Sequence, residues 1–355
     1  MQSVAPNTSG TALQCVTEDV QECDLCGGEE SRFVCSTRDR LHGLPGKFSL
    51  VRCSDCGLVR LSPRPTQACL PSYYPEDEYY AYELAGASQG RRLARVREVA
   101  RALGLASLGY ETELVPPQIS RLSNRLMPRA IQRRAAYGHD GFPPFLRGGR
   151  ALDVGCGDGS FLAELNRHGW EVSGVDISPA AARAAASRGI DVHVGELQDA
   201  PFQPESFDFV HMSHSIEHVS HPLATLEKVH KLLHEGGLVY IETPNIASFT
   251  ARRCGTYWFP LESPRHLWLF DPVTLRRALQ QSGFDCTKLW TKPFPALRWD
   301  STYRREERMQ RFLPKRPTMT AGSLPRAMTL GTVTAVLRLL GRPSAEQTCC
   351  WARRA

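Results

Sequence analysis

Two Cys-x-x-Cys pairs, Cys23/Cys26 and Cys53/Cys56, are the first residues along the chain whose spacing implies chemistry. Each pair can present two thiolates to one tetrahedral ion, and two pairs complete a closed four-sulfur site. A closed site leaves no position for water, so the spacing predicts a structural zinc ion and not a catalytic one. Gly27 and Gly57 follow the second cysteine of each pair, where a tight turn suits a knuckle. Cys15 and Cys35 fall outside the pattern and are not expected to be ligands. The competing reading is four buried free thiols.

A second pattern is the run Leu152-Asp153-Val154-Gly155-Cys156-Gly157-Asp158-Gly159. It follows a strand-like stretch and opens a helical one, which is the context of a nucleotide-binding loop. Glycines let the backbone turn tightly and come close to a ligand. Asp176 closes the next strand, where a carboxylate can accept hydrogen bonds from both hydroxyls of a ribose. Ser160 stands where a dinucleotide fingerprint has its third glycine, which points away from a pyrophosphate ligand. The competing reading is a structural turn with an incidental aspartate. A third pattern, His214-Ser215-Ile216-Glu217-His218, matches the H-x-x-E-H signature of a zinc-protease group. That chemistry needs a helix to put both histidines on one face. Here the motif follows an apolar strand, which argues against a protease.

These residues need elements to hold them. From residue 149, apolar runs of strand length alternate with amphipathic segments. Strands are expected at 151–154, 171–175, 191–194, 207–212, 238–242 and 284–290. Helices are expected at 160–168, 179–187, 223–234 and 272–282, the last stopped by Gly283. Strands alternating with helices imply parallel strands joined by crossovers, a doubly wound α/β sheet. Residues 348–352 read as a final strand beside 284–290. Upstream, residues 91–136 have helical spacing broken by Pro116, Pro117 and Pro128, which predicts two or three short helices.

The runs ALDVGCGDGSFL, GVDISPAA, VGELQDAPFQPESFDFVHMSHSIEHVSHP and LLHEGGLVYIETPN resemble, in order, the motifs of class I S-adenosylmethionine (SAM)-dependent methyltransferases. The later run WFPLESPRHLWLFDPVTLRRALQQSGF resembles the branch that includes ubiquinone-type and sugar methyltransferases. The likeness covers residues 149–290. It implies a Rossmann-like, seven-stranded doubly wound sheet whose last strand is antiparallel. The expected cofactor contacts are Asp153, Gly155, Gly157 and Gly159 in the loop, the glycines lining the methionine part of SAM. Asp176 would hold the ribose, Ile177 would pack on the adenine, and Glu196 and Leu197 would border it. The run VRCSDCGLVRLSPRP followed by YYPEDEYY resembles the N-terminal zinc ribbon fused to many bacterial members of this branch. That resemblance implies that the ribbon packs against the catalytic domain.

Methyl transfer from a sulfonium is a direct displacement, which needs alignment and exclusion of water. It can also need a base for the acceptor's proton. Ligands of doubly wound sheets bind at the carboxyl ends of the strands. Around those ends lie His214, Glu217, His218 and Asn245, and a following loop with Glu262 and His266. His218 is the first candidate base, His266 the second, and His214 completes the set. Alternatively, Glu217 and His218 hydrogen-bond the loop and shape the SAM pocket, and His266 packs beside Trp268 and Phe270.

The chain of 355 residues has room for one full-size domain and a smaller one. The expected organisation is a disordered tail (1–20), the zinc ribbon (21–75), a helical connector (76–145), the SAM-binding core (146–292), a helical insertion (293–343) and the last strand of the core (344–355). A net charge of +6 is too mild for a dedicated nucleic-acid binder. Arginine-rich stretches at 91–101, 121–134 and 304–316 offer contacts for an acidic group, a phosphate or a lipid headgroup. The start of the chain does not read as a signal peptide, so the twelve cysteines are expected in the reducing cytoplasm. Residues 327–340 predict an amphipathic helix, packed on the domain or touching a membrane surface or lipid-linked substrate. The expected function is SAM-dependent methylation of a small-molecule acceptor: a sugar, a lipid-linked glycan or a secondary metabolite. Competing readings are an RNA or protein methyltransferase that grips its substrate with the ribbon, and a non-catalytic SAM-binding scaffold.

Overall fold

The computed structural model describes residues 16–74, 91–112, 140–293 and 344–355. The arginine stretches at 121–134 and 304–316 and the expected helix at 327–340 lie outside the described residues. Of the short helices expected between 91 and 136, the described part is one longer helix, α1 (Arg91–Ser107).

The central element is a seven-stranded sheet. Its strands are β6 (Arg150–Val154), β7 (Glu171–Asp176), β8 (Val192–Val194), β9 (Phe207–Ser213), β10 (Leu233–Pro244), β12 (Phe284–Lys292) and β13 (Gln347–Arg354). The spatial order is β12-β13-β10-β9-β6-β7-β8. The pairs among β6 to β10 are parallel. The C-terminal strand β13 slots antiparallel between β10 and β12. It therefore touches both neighbours, not only the 284–290 strand expected beside it. Crossover helices α2 (Ser160–Arg167), α3 (Pro179–Ala186), α4 (Pro222–Leu232) and α6 (Pro272–Gln281) cover the sheet, and α5 (Phe249–Cys254) follows β10.

Local sequence explains these boundaries. Strands β9 and β10 are mostly buried, and runs such as Phe209-Val210 and Leu238-Val239-Tyr240-Ile241 are apolar at consecutive positions in place of an alternating pattern. Helix α4 buries Thr225, Leu226, Val229 and Leu232, one stripe at helical period. Asp271 caps α6 in a reciprocal box with Thr274, and Pro272 occupies its first turn.

The N-terminal segment forms β2 (Ser31–Thr37), β3 (Phe48–Cys53) and β4 (Val59–Leu61), an antiparallel sheet. Its fourth strand comes from far along the chain: β11 (Trp268–Leu269) pairs with β4. One hydrophobic core runs through both parts, from Phe48, Leu50 and Leu61 to Trp268, Val154 and Ile241. Residues 17 and 18, expected in a disordered tail, instead form β1 (Thr17–Glu18) against β5 (Arg64–Pro65). Arg64 holds Glu18 at 2.7 Å there. No helix among the described residues is long and apolar enough to cross a membrane.

Candidate active site

Sheet order reverses between β6 and β9, and a crevice opens at the carboxyl ends of strands flanking such a point. A cavity of 400 Å³ lies there, within the range of small-ligand sites. Gly155, Gly157, Asp176, Ile177, Glu196 and Leu197 line it. Gly155 leaves β6 with φ +77°, and a Cβ there would sit 2.8 Å from the Cβ of Ser215. Gly157, with φ +53°, has open space where its Cβ would be, and donates its N–H to Oδ2 of Asp176 at 2.9 Å. Ser178 N–H donates to Oδ1 at 2.9 Å. Burial pushes the Asp176 carboxyl up, and these two backbone donors oppose the shift. Glu196 accepts from the Ser220 hydroxyl at 2.9 Å.

Two expected cofactor contacts do not reach this wall. The side chain of Asp153 turns away, to Nδ1 of buried His211 at 2.8 Å. Gly159 caps α2 in a left-handed turn (φ +70°), and a Cβ there would strike Ala185 of α3 at 2.8 Å. Its glycine serves helix packing.

All three candidate bases line the cavity, but they differ in protonation. Burial, the nearby His266 ring and weaker opposing carboxylates leave His218 pushed down to about 4. Burial likewise pushes His266 down to about 4. Nδ1 of His218 lies 3.1 Å from the carbonyl of Arg265, and Nδ1 of His266 lies 2.8 Å from that of Pro260. A carbonyl can only accept, so the tautomer with hydrogen on Nδ1 satisfies both contacts, the Tyr74 oxygen sharing the His218 hydrogen as a second acceptor, and leaves a lone pair on Nε2. The rings meet edge to face at 4.6 Å. His214 is the opposite case. Burial alone would lower it, but hydrogen bonds and charge from Glu217 and Glu242 override burial, and it is pushed up to about 10. A ring that holds its proton so firmly does not accept one at neutral pH. The H-x-x-E-H run is a strand end and a turn, not a helix, so its histidines do not share a helix face.

Residues 120–289 match a family model described as a methyltransferase domain. Curated relatives include ubiquinone biosynthesis O-methyltransferases. That of Xanthomonas campestris is 36% identical over 107 residues, covering 28% of this chain and 45% of the relative. That of Xylella fastidiosa is 33% identical over 151 residues, covering 39% and 61%. This stretch is a class I SAM-dependent methyltransferase domain. The chain spans less than two thirds of the length of either relative. A solved SAM-dependent methyltransferase of Archaeoglobus fulgidus aligns with a TM-score of 0.40 at 20% identity, covering 58% of this chain and 86% of that one.

The methyltransferase domain does not build its cavity alone. Leu70 and Tyr74, from the end of the N-terminal segment, line it too. The Tyr74 hydroxyl lies 2.9 Å from Nδ1 of His218. Glu346 and Gln347 enter from the start of β13. The resemblance of the run ending in YYPEDEYY implied that the ribbon packs against the catalytic domain but singled out no tyrosine, and Gln347 pairs with Pro244 and Lys292, residues far from it in sequence. Arg265, fully buried, reaches out of the methyltransferase domain to Asp39 at 2.8 Å and to the carbonyl of Tyr73 at 2.9 Å.

The four cysteines of the paired motifs converge. Sγ of Cys23 lies 3.4 Å from that of Cys56, and Sγ of Cys26 lies 3.5 Å from that of Cys53. All four sulfurs lie within 4.8 Å of one another. Tetrahedral zinc with sulfur at about 2.3 Å needs sulfurs roughly 3.7 Å apart, so the donor set fits. Cys35 is not part of the cluster.

Proposed function

We propose that the protein transfers the methyl group of SAM to a hydroxyl of a small-molecule acceptor by direct displacement. The observation that carries this reading is one cavity with a glycine and carboxylate cradle on one side and two neutral histidines on the other. SAM, when bound, supplies a methyl group on a positively charged sulfur. Gly155 and Gly157 would take its methionine part, Asp176 the ribose, and Ile177, Glu196 and Leu197 the adenine. The open space at Gly157 and the donors that orient Asp176 fit such a ligand.

His218 would accept the acceptor's proton at Nε2, with His266 beside it. Tyr74, Phe259 and Pro260 would exclude water from that end of the cavity. The O-methyl assignment leans on the printed names of the curated relatives; a sugar, lipid-linked glycan or secondary metabolite all offer such hydroxyls. The described cavity lining contains no Lys or Arg, which favours these acceptors over a phosphate backbone. A zinc ion held by Cys23, Cys26, Cys53 and Cys56 would fix the ribbon, so that the ribbon's end can supply Tyr74. We assign residues 21–75 to that ribbon, and residues 146–292 with 344–355 to the core.

The test is release of S-adenosylhomocysteine from SAM across a panel of hydroxylated acceptors, for wild type and His218→Gln. Acceptor-dependent release that the substitution reduces by about 100-fold or more supports the reading. Acceptor-dependent release unaffected by the substitution contradicts the base assignment, and no release with any acceptor contradicts the enzymatic one.

A further inference from the structure

Two cysteines outside the four-cysteine cluster meet at the edge of the central sheet. Sγ of Cys286, on β12, lies 3.1 Å from Sγ of Cys350, on β13. That is about 1 Å beyond the length of a disulfide bond, roughly 2.05 Å. The register explains the approach. Cys286 pairs with Ala352, and Cys350, on the same strand as Ala352 and alternate to it, shares its face of the sheet. Such diagonal neighbours ordinarily stand about 7–8 Å apart at the backbone. The register shifts between Cys286 and Lys288, so Thr287 is the extra residue of a bulge. A bulge bends its strand and re-aims a side chain.

The two sulfurs differ in access. Cys350 is fully buried, whereas Cys286 is half-buried on the edge strand, between exposed Asp285 and Thr287. A reagent from solvent therefore meets Cys286 first. Its hydrogen bond with Cys350 and, against burial, the charge of exposed Arg276 on α6 pull the Cys286 thiol down to about 7. The same hydrogen bond, and then burial, push the Cys350 thiol up. The thiolate is the nucleophilic form of cysteine, and reactive thiols are partly exposed and near positive charge. Access and surroundings agree on Cys286.

We propose that Cys286 and Cys350 form a reversible oxidation site for a hydroperoxide, with Cys286 as the attacking sulfur and Cys350 as the resolving one. The Cys286 thiolate attacks an oxygen of hydrogen peroxide and the O–O bond breaks. Hydroxide leaves and takes up the proton that Cys286 released, giving water and a sulfenic acid on Cys286. The Cys350 sulfur then attacks the Cys286 sulfur and the S–O bond breaks. The departing hydroxyl takes the Cys350 proton as a second water, and the S–S bond forms. Two thiols are oxidised and one peroxide is reduced to two waters. The bond fastens β13, whose first residue Gln347 lines the cavity, to the edge strand β12. A thiol reductant reverses it by exchange. The site depends on neither the zinc nor the cofactor reading.

The experiment treats the reduced full chain with hydrogen peroxide, blocks the remaining thiols and maps the peptides by mass spectrometry. Wild type should yield two peptides joined through Cys286 and Cys350, lighter by two hydrogens than the separate peptides and separated by dithiothreitol. Fragmentation between Cys349 and Cys350 assigns the second sulfur. Cys350→Ser should halt at the sulfenic acid of Cys286, which dimedone captures, and Cys286→Ser should leave Cys350 unoxidised. The joined pair is read in wild type, so the proposal stands or falls even if a variant does not fold. Absence of the joined peptides in wild type, or a bond from Cys286 to a different cysteine, overturns the proposal. Sulfenic acid on Cys350 in Cys286→Ser overturns the assigned order of attack.

Discussion

Asp39 and Arg265 form an ion pair at 2.8 Å in which neither side chain has any exposed surface. One residue belongs to the cysteine-bearing segment, the other to the loop that carries Glu262 and His266. The carboxyl of Asp39 is pushed up by burial but pulled down further by the Arg265 guanidinium beside it. Removing Asp39 takes the nearer carboxylate from the buried guanidinium and leaves it Glu262 at 3.4 Å. Asp39→Ala should therefore destabilise the protein by about 3 kcal/mol, and an apolar replacement of both residues should recover only part of that loss, since Glu262 then loses its cation. Urea unfolding of the single and double variants measures both effects; a loss below about 1 kcal/mol in the single variant would show that the pair does not bind the two parts together.

Zinc in the four-cysteine cluster would act at a distance from the chemistry. Cys53→Ser should lower bound zinc from one equivalent to none and lower the melting temperature, since structural zinc contributes folding energy directly. Elemental analysis of the purified variant reads the first effect. Retention of a full equivalent would contradict the four-thiolate assignment.

The glycines of the loop should separate by role. Both Gly157 and Gly159 have left-handed backbones, so alanine at either costs about 1–2 kcal/mol. Gly159→Ala adds a clash with Ala185 and should cost clearly more stability. Gly157→Ala meets no protein atom, and its Cβ projects into space that a ligand would use, so its main effect should be on S-adenosylhomocysteine affinity. Paired thermal melts and titrations decide this; equal effects of the two substitutions on both readouts would contradict the division.

The histidines predict opposite pH limbs. His218 and His266 have folded values of about 4, below the ordinary 6.5. Their contribution to stability is full above about 6.5 and is lost as pH falls toward 4. His214, at about 10 in the fold, contributes fully below about 6.5, and that contribution is lost as pH rises through 10. His214→Asn should therefore flatten the alkaline limb of the melting temperature against pH and leave the acid limb in place. An unchanged alkaline limb would contradict the protonated state of His214.

Much of the architecture was legible because it rests on local pattern. The alternation of apolar runs and amphipathic segments from residue 149 marks the strands and helices, and the cysteine spacing marks a convergence that the folded chain shows. What was not legible rests on contacts distant in sequence or too short to carry a period. Strand β11 is two residues long, so nothing periodic announces that Trp268 and Leu269 extend the N-terminal sheet. Asp39 belongs to no motif in the sequence; its partner Arg265 lies 226 residues away. The run from Asp153 to Gly159 looked like one ligand-binding unit, yet side-chain direction sends Asp153 to His211 and the approach of α3 claims Gly159 for packing. Nor does residue type separate His214 from His218: the two carboxylates beside one ring and the burial of the other set their charge.

The central claim is that this cavity binds SAM through Asp176. Calorimetric titration of wild type and Asp176→Ala with S-adenosylhomocysteine tests it most directly. Wild type should bind with one site per chain, and the substitution should weaken binding by about 1–3 kcal/mol, the scale of lost hydrogen bonds to a charged group. Unchanged affinity in the variant would contradict the role of Asp176, and absence of binding to the wild type would contradict the cofactor site itself.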